Sequence, residues 1–338
     1  MKQKIKIKVQ NGLDFDTFKC EVLDVNLVTE EFEFIKSENP DFIIFGPYGN
    51  DIPPKGDYVR IGYFCENITP DFNSCEWAFG IPSENDIQRS NYKRIQWHGI
   101  NPVALVKNPE RNLDEIIMSK SRFCNFIYST PIAYREEFFK QLSKYKKIDA
   151  PGKSMQNMAW PNNNNTIHKW TVKRQFLGHY KFTISFENYV YPGYQTEKLY
   201  DPMLADSLPI YCGDPLINNI FNTDSFINAS SYLPLKQNRL INWLENNGQR
   251  NFVDIRPQFF KNPIHRINRK IKSIERDLKM KLQFNNLDFS DLIDRIIELD
   301  KNDDLYLKYQ TNPWLNVNAM NEINQTKKFW TKIFMVNA

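Results

Sequence analysis

The sequence predicts an α/β protein of two domains, each built on a parallel sheet with helices on its faces. Short apolar runs alternate with stretches of helical spacing along most of the chain. The length, 338 residues, suits about two domains of ordinary size. In APGKSMQNMAWPNNNNT (150–166) the composition shifts to Pro, Gly and consecutive Asn, where a loop or linker is expected.

The elements follow in order. MKQKIKIKVQ alternates Lys with Ile and Val, the pattern of a half-buried first strand, and lacks the apolar centre of a signal peptide. DFIIFGP (41–47), YVRIGYFCEN (58–67) and SRFCNFIYS (121–129) read as buried parallel strands. REEFFKQLSKY (135–145) puts Phe138, Phe139 and Leu142 on one side of a helix. Past the composition shift, KFTISFE sets Phe182, Ile184 and Phe186 on one strand face, and SLPIYCGDP and DSFINAS each hold a short strand. SDLIDRIIEL (290–299) predicts a helix with Ser290 as N-cap, and QTKKFWTKIFMV a terminal helix that packs back on the body. The expected domains are therefore 1–150 and 151–315, followed by a helix over 316–338.

Composition narrows the function. Hydrophobic residues make up 41% and charged residues 25%, as in ordinary globular chains. A formal charge of +4 is too small to argue for nucleic acid, and none is expected as a partner. No apolar run reaches the roughly 20 residues a spanning helix needs. Five cysteines, at 20, 65, 75, 124 and 212, form no CxxC pair and are odd in number, which points to reduced thiols and a cytoplasmic location. Cys65 reads as an inert thiol rather than a nucleophile. His98, His168, His179 and His265 show no ligand spacing, so no metal site is indicated. PGKS (151–154) lacks the first glycine of a phosphate loop, because position 147 is Lys. The lone Asp14-Phe-Asp16 lies too near the N-terminus to serve a nucleotide unit.

Residues 261–281 stand apart. They carry eight Lys/Arg and two acids, with Ile264, Ile267, Ile271, Ile274 and Leu278 spaced by three and four. That is an amphipathic helix with a heptad-like stripe and a basic face. It has three readings: packing on the protein with a solvated charged face, peripheral contact with a membrane or another anionic partner, or a coiled-coil contact.

The candidate site is FENYVYPGYQTEKLYD (186–201). A strand that ends in a polar loop and feeds a helix is the usual ligand-facing edge of a parallel sheet. The loop carries Glu187, Asn188 and Tyr194, and the helix is expected to start near Thr196, its free N–H groups favouring an anion. Lys198 adds a full positive charge in the first turn, while Glu197 suits the hydroxyls of a ribose. Carboxylate for sugar and ammonium for diphosphate is the chemistry of a nucleotide-sugar pocket. A surface helix with adjacent charges and a capping Thr is the alternative on spacing alone.

Residues 177–232 resemble the donor-binding segment of the α-1,3/1,4-fucosyltransferase family, in its soluble bacterial or viral form. The matching residues are Phe186, Glu187 and Asn188; Tyr194, Thr196, Glu197 and Lys198; Pro209, Ile210 and Gly213; and Ser225, Phe226 and Ile227. RIGYFCENITPDF (60–72) is similar to the family's strand ending in Glu-Asn, where the Glu is the general base. The carry-over falls on Glu66 as base, with Asn67 beside it at the substrate. The region of Gly152 and Lys153 resembles the family's linker, and NDDLYLKYQTNPW (302–314) its late segment.

The resemblance implies a GT-B fold, two Rossmann-like domains facing across a cleft, with the acceptor on the first and the donor on the second. It implies inverting transfer of L-fucose from GDP-β-L-fucose, commonly to O3 of N-acetylglucosamine in an acceptor glycan. No cofactor is essential, and a divalent metal is at most stimulatory. Three departures stand out. Residues 233–285 look inserted, Pro202 falls inside the helix after Lys198, and Gln156 stands where some relatives have Arg, leaving Lys153, Lys173 or Arg174 as substitutes. Transfer of a different nucleotide-activated sugar, or a binding protein with a decayed transferase fold, are the rival readings.

Overall fold

The computed structural model of the chain describes residues 2–161, 169–255, 263–317 and 319–336. The Asn run at 162–165, His168 and Lys261 lie outside them. The chain divides into two compact units: Met1–Pro102 with Gln237–Lys281 and Asn318–Ala338, and Val103–Lys236 with Leu282–Val317.

The first unit begins with β1 (Gln3–Gln10), whose Ile5 and Ile7 are buried while the intervening lysines face out. A short helix α1 (Phe15–Phe18) follows, N-capped by Asp14, which accepts from the Thr17 amide at 2.9 Å. Asp14 therefore has a structural task, in keeping with the rejection of Asp14-Phe-Asp16 as a metal motif. Next come β2 (Phe32–Lys36), β3 (Phe42–Phe45), β4 (Val59–Tyr63), the short β5 (Ile68–Thr69), β6 (Trp77–Gly80), α2 (Glu84–Ile87) and β7 (Tyr92–Arg94). The sheet runs β2-β1-β3-β4-β6-β7, parallel throughout. β3, Phe-Ile-Ile-Phe, is wholly buried because both faces of its sheet are covered.

The second unit opens with α3 (Leu113–Ser119), then β8 (Arg122–Asn125), α4 (Ala133–Leu142), β9 (Ile148–Asp149), α5 (Lys169–Gly178), β10 (Tyr180–Phe186), α6 (Glu197–Leu204), β11 (Leu208–Cys212) and β12 (Ile227–Asn228). The order β12-β11-β10-β8-β9 is again all parallel. Chain order moves from β8 outward to β9, then returns to lay β10 on the other side of β8. The loops after β8 and β10 thus diverge, which is the switch point where such sheets hold ligands. β10 is central and buried on both faces rather than on the single expected face.

The chain then returns to the first unit with α7 (Arg239–Asn247), β13 (Arg250–Asn251), α8 (Phe252–Ile255) and α9 (Pro263–Phe284). β13 pairs parallel with β5, and Phe252 of α8 packs on Phe45 and Phe64. The second unit is completed by α10 (Ser290–Lys301) and α11 (Asp303–Thr311). Ser290 is the first helical residue of α10 rather than its cap; Phe289 holds the cap position without a side-chain bond, and Asp288 before it accepts from the Ser290 amide at 2.9 Å and hydroxyl at 2.6 Å. The terminal α12 (Ala319–Val336) buries Trp330 and Phe334 against the first sheet, with Trp330 stacked 4.1 Å from Phe79 and Phe334 5.0 Å from Phe42.

The division differs from the expected boundary at 150. β8 pairs with β10 and β9 with β8, so residues 103–150 belong to the second unit. The Pro- and Gly-containing stretch after β9 is a connection within one sheet, from β9 to α5, whose composition resembles that of a linker. The segment 237–281, expected in the second domain, belongs to the first. No helix among the described residues is long and apolar enough to cross a membrane.

Candidate active site

The carboxyl edge of the second sheet assembles the predicted residues around one buried carboxylate. β10 ends at Phe186, and the Glu187 amide donates to the Cys212 carbonyl at 2.8 Å, continuing the pairing with β11 by one residue. Glu187 is fully buried. Its Oε1 accepts from the Thr196 amide at 3.0 Å, and both its oxygens accept from the Thr196 hydroxyl at 2.9 Å. Thr196 is the N-cap of α6, as expected, and its oxygen accepts from the Lys198 amide at 3.4 Å and ammonium at 3.0 Å. Glu187, expected in contact with substrate, instead points inward and holds the start of the helix.

Lys198 sits between two carboxylates, 3.4 Å from Glu187 Oε2 and 3.3 Å from Glu197 Oε1. Burial works against its ammonium, but the two acids overcome that and hold it charged well above the ordinary lysine range. Burial pushes the Glu187 carboxyl up, against Lys198 and the Thr196 hydrogen bonds, which favour its anion. Burial also opposes the Glu197 anion, yet Lys198 and Lys173 bring its carboxyl below the usual range. Glu197 is the accessible partner, its side chain 44% exposed against 0% for Glu187.

Two side chains to which the sequence reading gave no part in the site fix this edge. Arg135, at the start of α4, is fully buried and lies 3.5 Å over the Tyr128 ring. Its guanidinium donates to the Phe186 carbonyl at 3.1 Å, the Thr130 carbonyl at 2.6 Å and Asn188 Oδ1 at 3.0 Å, while its Nε is buried with no partner. It therefore bridges the loops after β8 and β10, at the switch point. Asp214, after β11, accepts from the Gly193 amide at 2.6 Å and from the Gln195 side chain, tethering the loop that leads into Thr196. The only sequence sign of Arg135 is an arginine four residues after the Pro of the Thr130-Pro131 pair that follows a strand.

The remaining expected residues divide. Asn188 is exposed at the edge. Tyr194 is buried, 7% exposed, so its ring packs rather than projects. Lys153 is exposed in the loop after β9. That loop is strapped down by the Ser154 amide donating to the Tyr128 carbonyl at 2.9 Å. Gly152 is required there, since a Cβ would lie 2.3 Å from the Tyr128 carbonyl oxygen. Lys173 and Arg174 are committed elsewhere: they bind buried Asp201 at 2.7 and 2.9 Å and tie α5 to α6. Pro202 lies inside the eight-residue α6, which ends two residues later at Leu204.

Gly213 makes room for the central carboxylate. A Cβ there would meet Glu187 Cγ at 2.6 Å and the Tyr211 hydroxyl at 2.4 Å, both buried. Gly213→Ala is expected to cost about 1–3 kcal/mol through overpacking, read as a lowered midpoint of thermal or denaturant unfolding. A variant as stable as the parent would show that Glu187 is not held as described.

At the opposite, amino edge of the same sheet, a pocket is lined by Lys120, Arg122, Lys146 and Lys181 among others. These cations are already engaged. Lys146 binds Asp300, Lys181 binds Asp303, Arg122 binds Asp149 and Lys120 caps the carbonyls of Gly178 and Ala205. The carboxyl edge is the better anion site, because there the start of α6 and the switch point coincide.

In the first unit, Glu66 is half-buried in the connection between β4 and β5, and its carbonyl accepts from the Ile68 amide at 2.7 Å. Tyr48 adjoins it: burial first and Glu66 second push the phenol well above its ordinary range. Burial and the same carboxylate push the Cys65 thiol up to about 12, which agrees with its reading as inert. Asn67, expected at the substrate, is turned inward; it is 4% exposed and its Oδ1 accepts from Gln249 Nε2 at 2.9 Å. Gln249 directly precedes β13, so the segment that looked inserted braces the Glu66 loop through both a side chain and a strand.

Two parallel-sheet units and an anion-ready carboxyl edge define a GT-B type of α/β protein. The fold matches solved α1,3-fucosyltransferase structures, one without ligand (TM-score 0.63, 20% identity, 98% of this chain and 90% of that one) and one with GDP-fucose (TM-score 0.62, 19% identity, 98% and 91%). The chain belongs to glycosyltransferase family 10. Residues 117–251 match the model of the family's fucosyltransferase C-terminal domain, and residues 8–98 that of the α-(1,3)-fucosyltransferase FucT N-terminal domain. The first of these matches covers α7 and β13, so only the part of 233–285 beyond residue 251 stands outside it. Among curated relatives, the α-(1,3)-fucosyltransferase FucT of Helicobacter pylori is 27% identical over 268 residues, 68% of this chain and 54% of that protein. A protein of Acanthamoeba polyphaga mimivirus named as a fucosyltransferase is 34% identical over 110 residues, 31% of this chain and 18% of its own length. This chain thus spans about half, or less, of those relatives.

Proposed function

We propose that this chain is an inverting α-1,3-fucosyltransferase that moves L-fucose from GDP-β-L-fucose to a hydroxyl of an acceptor glycan, O3 of an N-acetylglucosamine. The observation that carries the reading is the meeting of Lys198, Arg135 and Asn188 at the switch point of the second sheet, in a chain of family 10. The Lys198 ammonium donates to the Thr196 hydroxyl and to Glu197 and forms an ion pair with Glu187. Donor binding exchanges Glu197, the exposed partner, for a diphosphate oxygen. The freed Glu197 carboxylate then accepts from the ribose hydroxyls. Arg135 and the first-turn amides of α6 add to the positive field, and Asn188 and Lys153 lie at its rim.

The reaction is a single displacement. Glu66 takes the proton of the acceptor hydroxyl, the acceptor oxygen forms its bond to fucose C1, and the bond from C1 to the diphosphate breaks, its electron pair leaving with GDP. Attack from the face opposite the leaving group inverts the centre. Preorganised charge of this kind acts on the negative charge that develops on the leaving group.

Incubation with GDP-fucose, GDP-mannose and UDP-sugars, each with N-acetyllactosamine-type acceptors, tests the assignment. Transfer from GDP-fucose, with product analysis placing the new bond on O3 of N-acetylglucosamine, is expected. Transfer from another donor would reassign the sugar. Nucleotide binding without transfer from any donor would leave a binding protein in place of an enzyme.

A further inference from the structure

We propose that this chain self-associates through the outward side of α9, a second copy covering its isoleucine stripe. α9 is docked the reverse way round from an ordinary amphipathic helix. Two of its lysines face the first unit: Lys272 binds Asp254 at 2.7 Å, and fully buried Lys279 binds Glu245 of α7 at 2.9 Å. Its apolar residues face water, with Ile264 66%, Ile267 57%, Ile271 48%, Ile274 56% and Leu278 40% exposed. Fully burying one such side chain is worth about 1.5–3 kcal/mol, and a row of them is more than scattered surface apolarity explains. The neighbouring α7 exposes Leu240 (52%) and Trp243 (53%).

The charges beside the stripe identify the occupant. In heptad terms, Ile264, Ile271 and Leu278 take position a, and Ile267 and Ile274 position d. One flank (position g) then carries Lys270 and Asp277, the other (position e) Asn268 and Glu275. The flanking charges sum to minus one, so the flanks themselves offer an anionic bilayer nothing; the exposed Arg266 and Arg269 lie behind them at positions c and f, and Lys281 ends the stripe. A copy of the same helix does gain. When two copies run antiparallel about a two-fold axis, g faces g, and Lys270 of each copy meets Asp277 of the other. The two ion pairs are equivalent, as an isologous interface requires. Isoleucine at both a and d disfavours the parallel two-stranded arrangement, and the Lys270–Asp277 pairing favours the antiparallel one. Neither Lys270 nor Asp277 has an ion-pair partner among the described residues.

Sedimentation equilibrium of the full chain over a wide concentration range tests this. A monomer–dimer equilibrium is expected. Ile271→Glu should abolish the dimer without lowering the unfolding midpoint of the monomer, since the side chain is exposed. Lys270→Glu should weaken association by at least about tenfold, and adding Asp277→Lys in the same chain should restore it. A parent that stays monomeric throughout would overturn the proposal, as would an Ile271→Glu variant that dimerises normally or a charge swap that fails to recover. Flotation of a monomeric parent with phosphatidylserine vesicles, lost in Ile271→Glu, would overturn it in favour of a lipid surface.

Discussion

Glu66→Gln is expected to lower transfer by about 10²–10⁴-fold, the usual worth of a positioned general base, while GDP still raises the unfolding midpoint as it does in the parent. The substitution keeps the size of the side chain and its place beside Tyr48 and replaces only the carboxylate proposed to take the proton. The loop is braced independently, by the β5–β13 pairing and by Gln249 on Asn67, so it has no reason to move. Glu66 lies in the first unit and the Glu187–Lys198 cluster in the second, so loss of turnover with full nucleotide protection separates the base from the donor site. Turnover near the parent's would place the base elsewhere.

Lys198→Ala is expected to weaken GDP by about 10–150-fold, from the roughly 1.5–3 kcal/mol that a hydrogen bond to a charged group contributes, and to leave guanosine nearly untouched. The comparison with guanosine isolates the diphosphate. A complication follows from the geometry: removing the ammonium leaves Glu187 buried with only Thr196 to hold it, and breaking a buried pair from one side destabilises. Pairing the change with Glu187→Gln removes both charges. That double variant should regain unfolding stability and still fail to bind GDP tightly. If it binds GDP like the parent, or if guanosine falls as far as GDP in Lys198→Ala, the diphosphate is held by other groups.

Much of this arrangement is legible in the sequence. The β10–α6 connection is a buried strand, a polar loop and a Thr cap in immediate succession, so local chemistry alone places Thr196 and Lys198 at a helix start. Arg135 is not legible, because an arginine at the head of an amphipathic helix looks solvent-facing; only the fold reveals that it spans two loops. Asn67 reads as a companion of Glu66, yet its partner Gln249 is about 180 residues away. The 150–166 stretch misleads because a long βα connection and an interdomain linker draw on the same residues. α9 misleads in the other direction. Its periodicity marks two faces correctly, but which one turns inward depends on Asp254 and Glu245, acids outside the helix that take its lysines.

The most direct measurement is a crystal structure of the chain with GDP bound. The diphosphate oxygens should lie within hydrogen-bond reach, about 3 Å, of the Lys198 ammonium at the start of α6, with Glu197 swung off the lysine toward the ribose. Phosphates bound instead at the amino edge of the sheet, among Lys120, Arg122, Lys146 and Lys181, would contradict it.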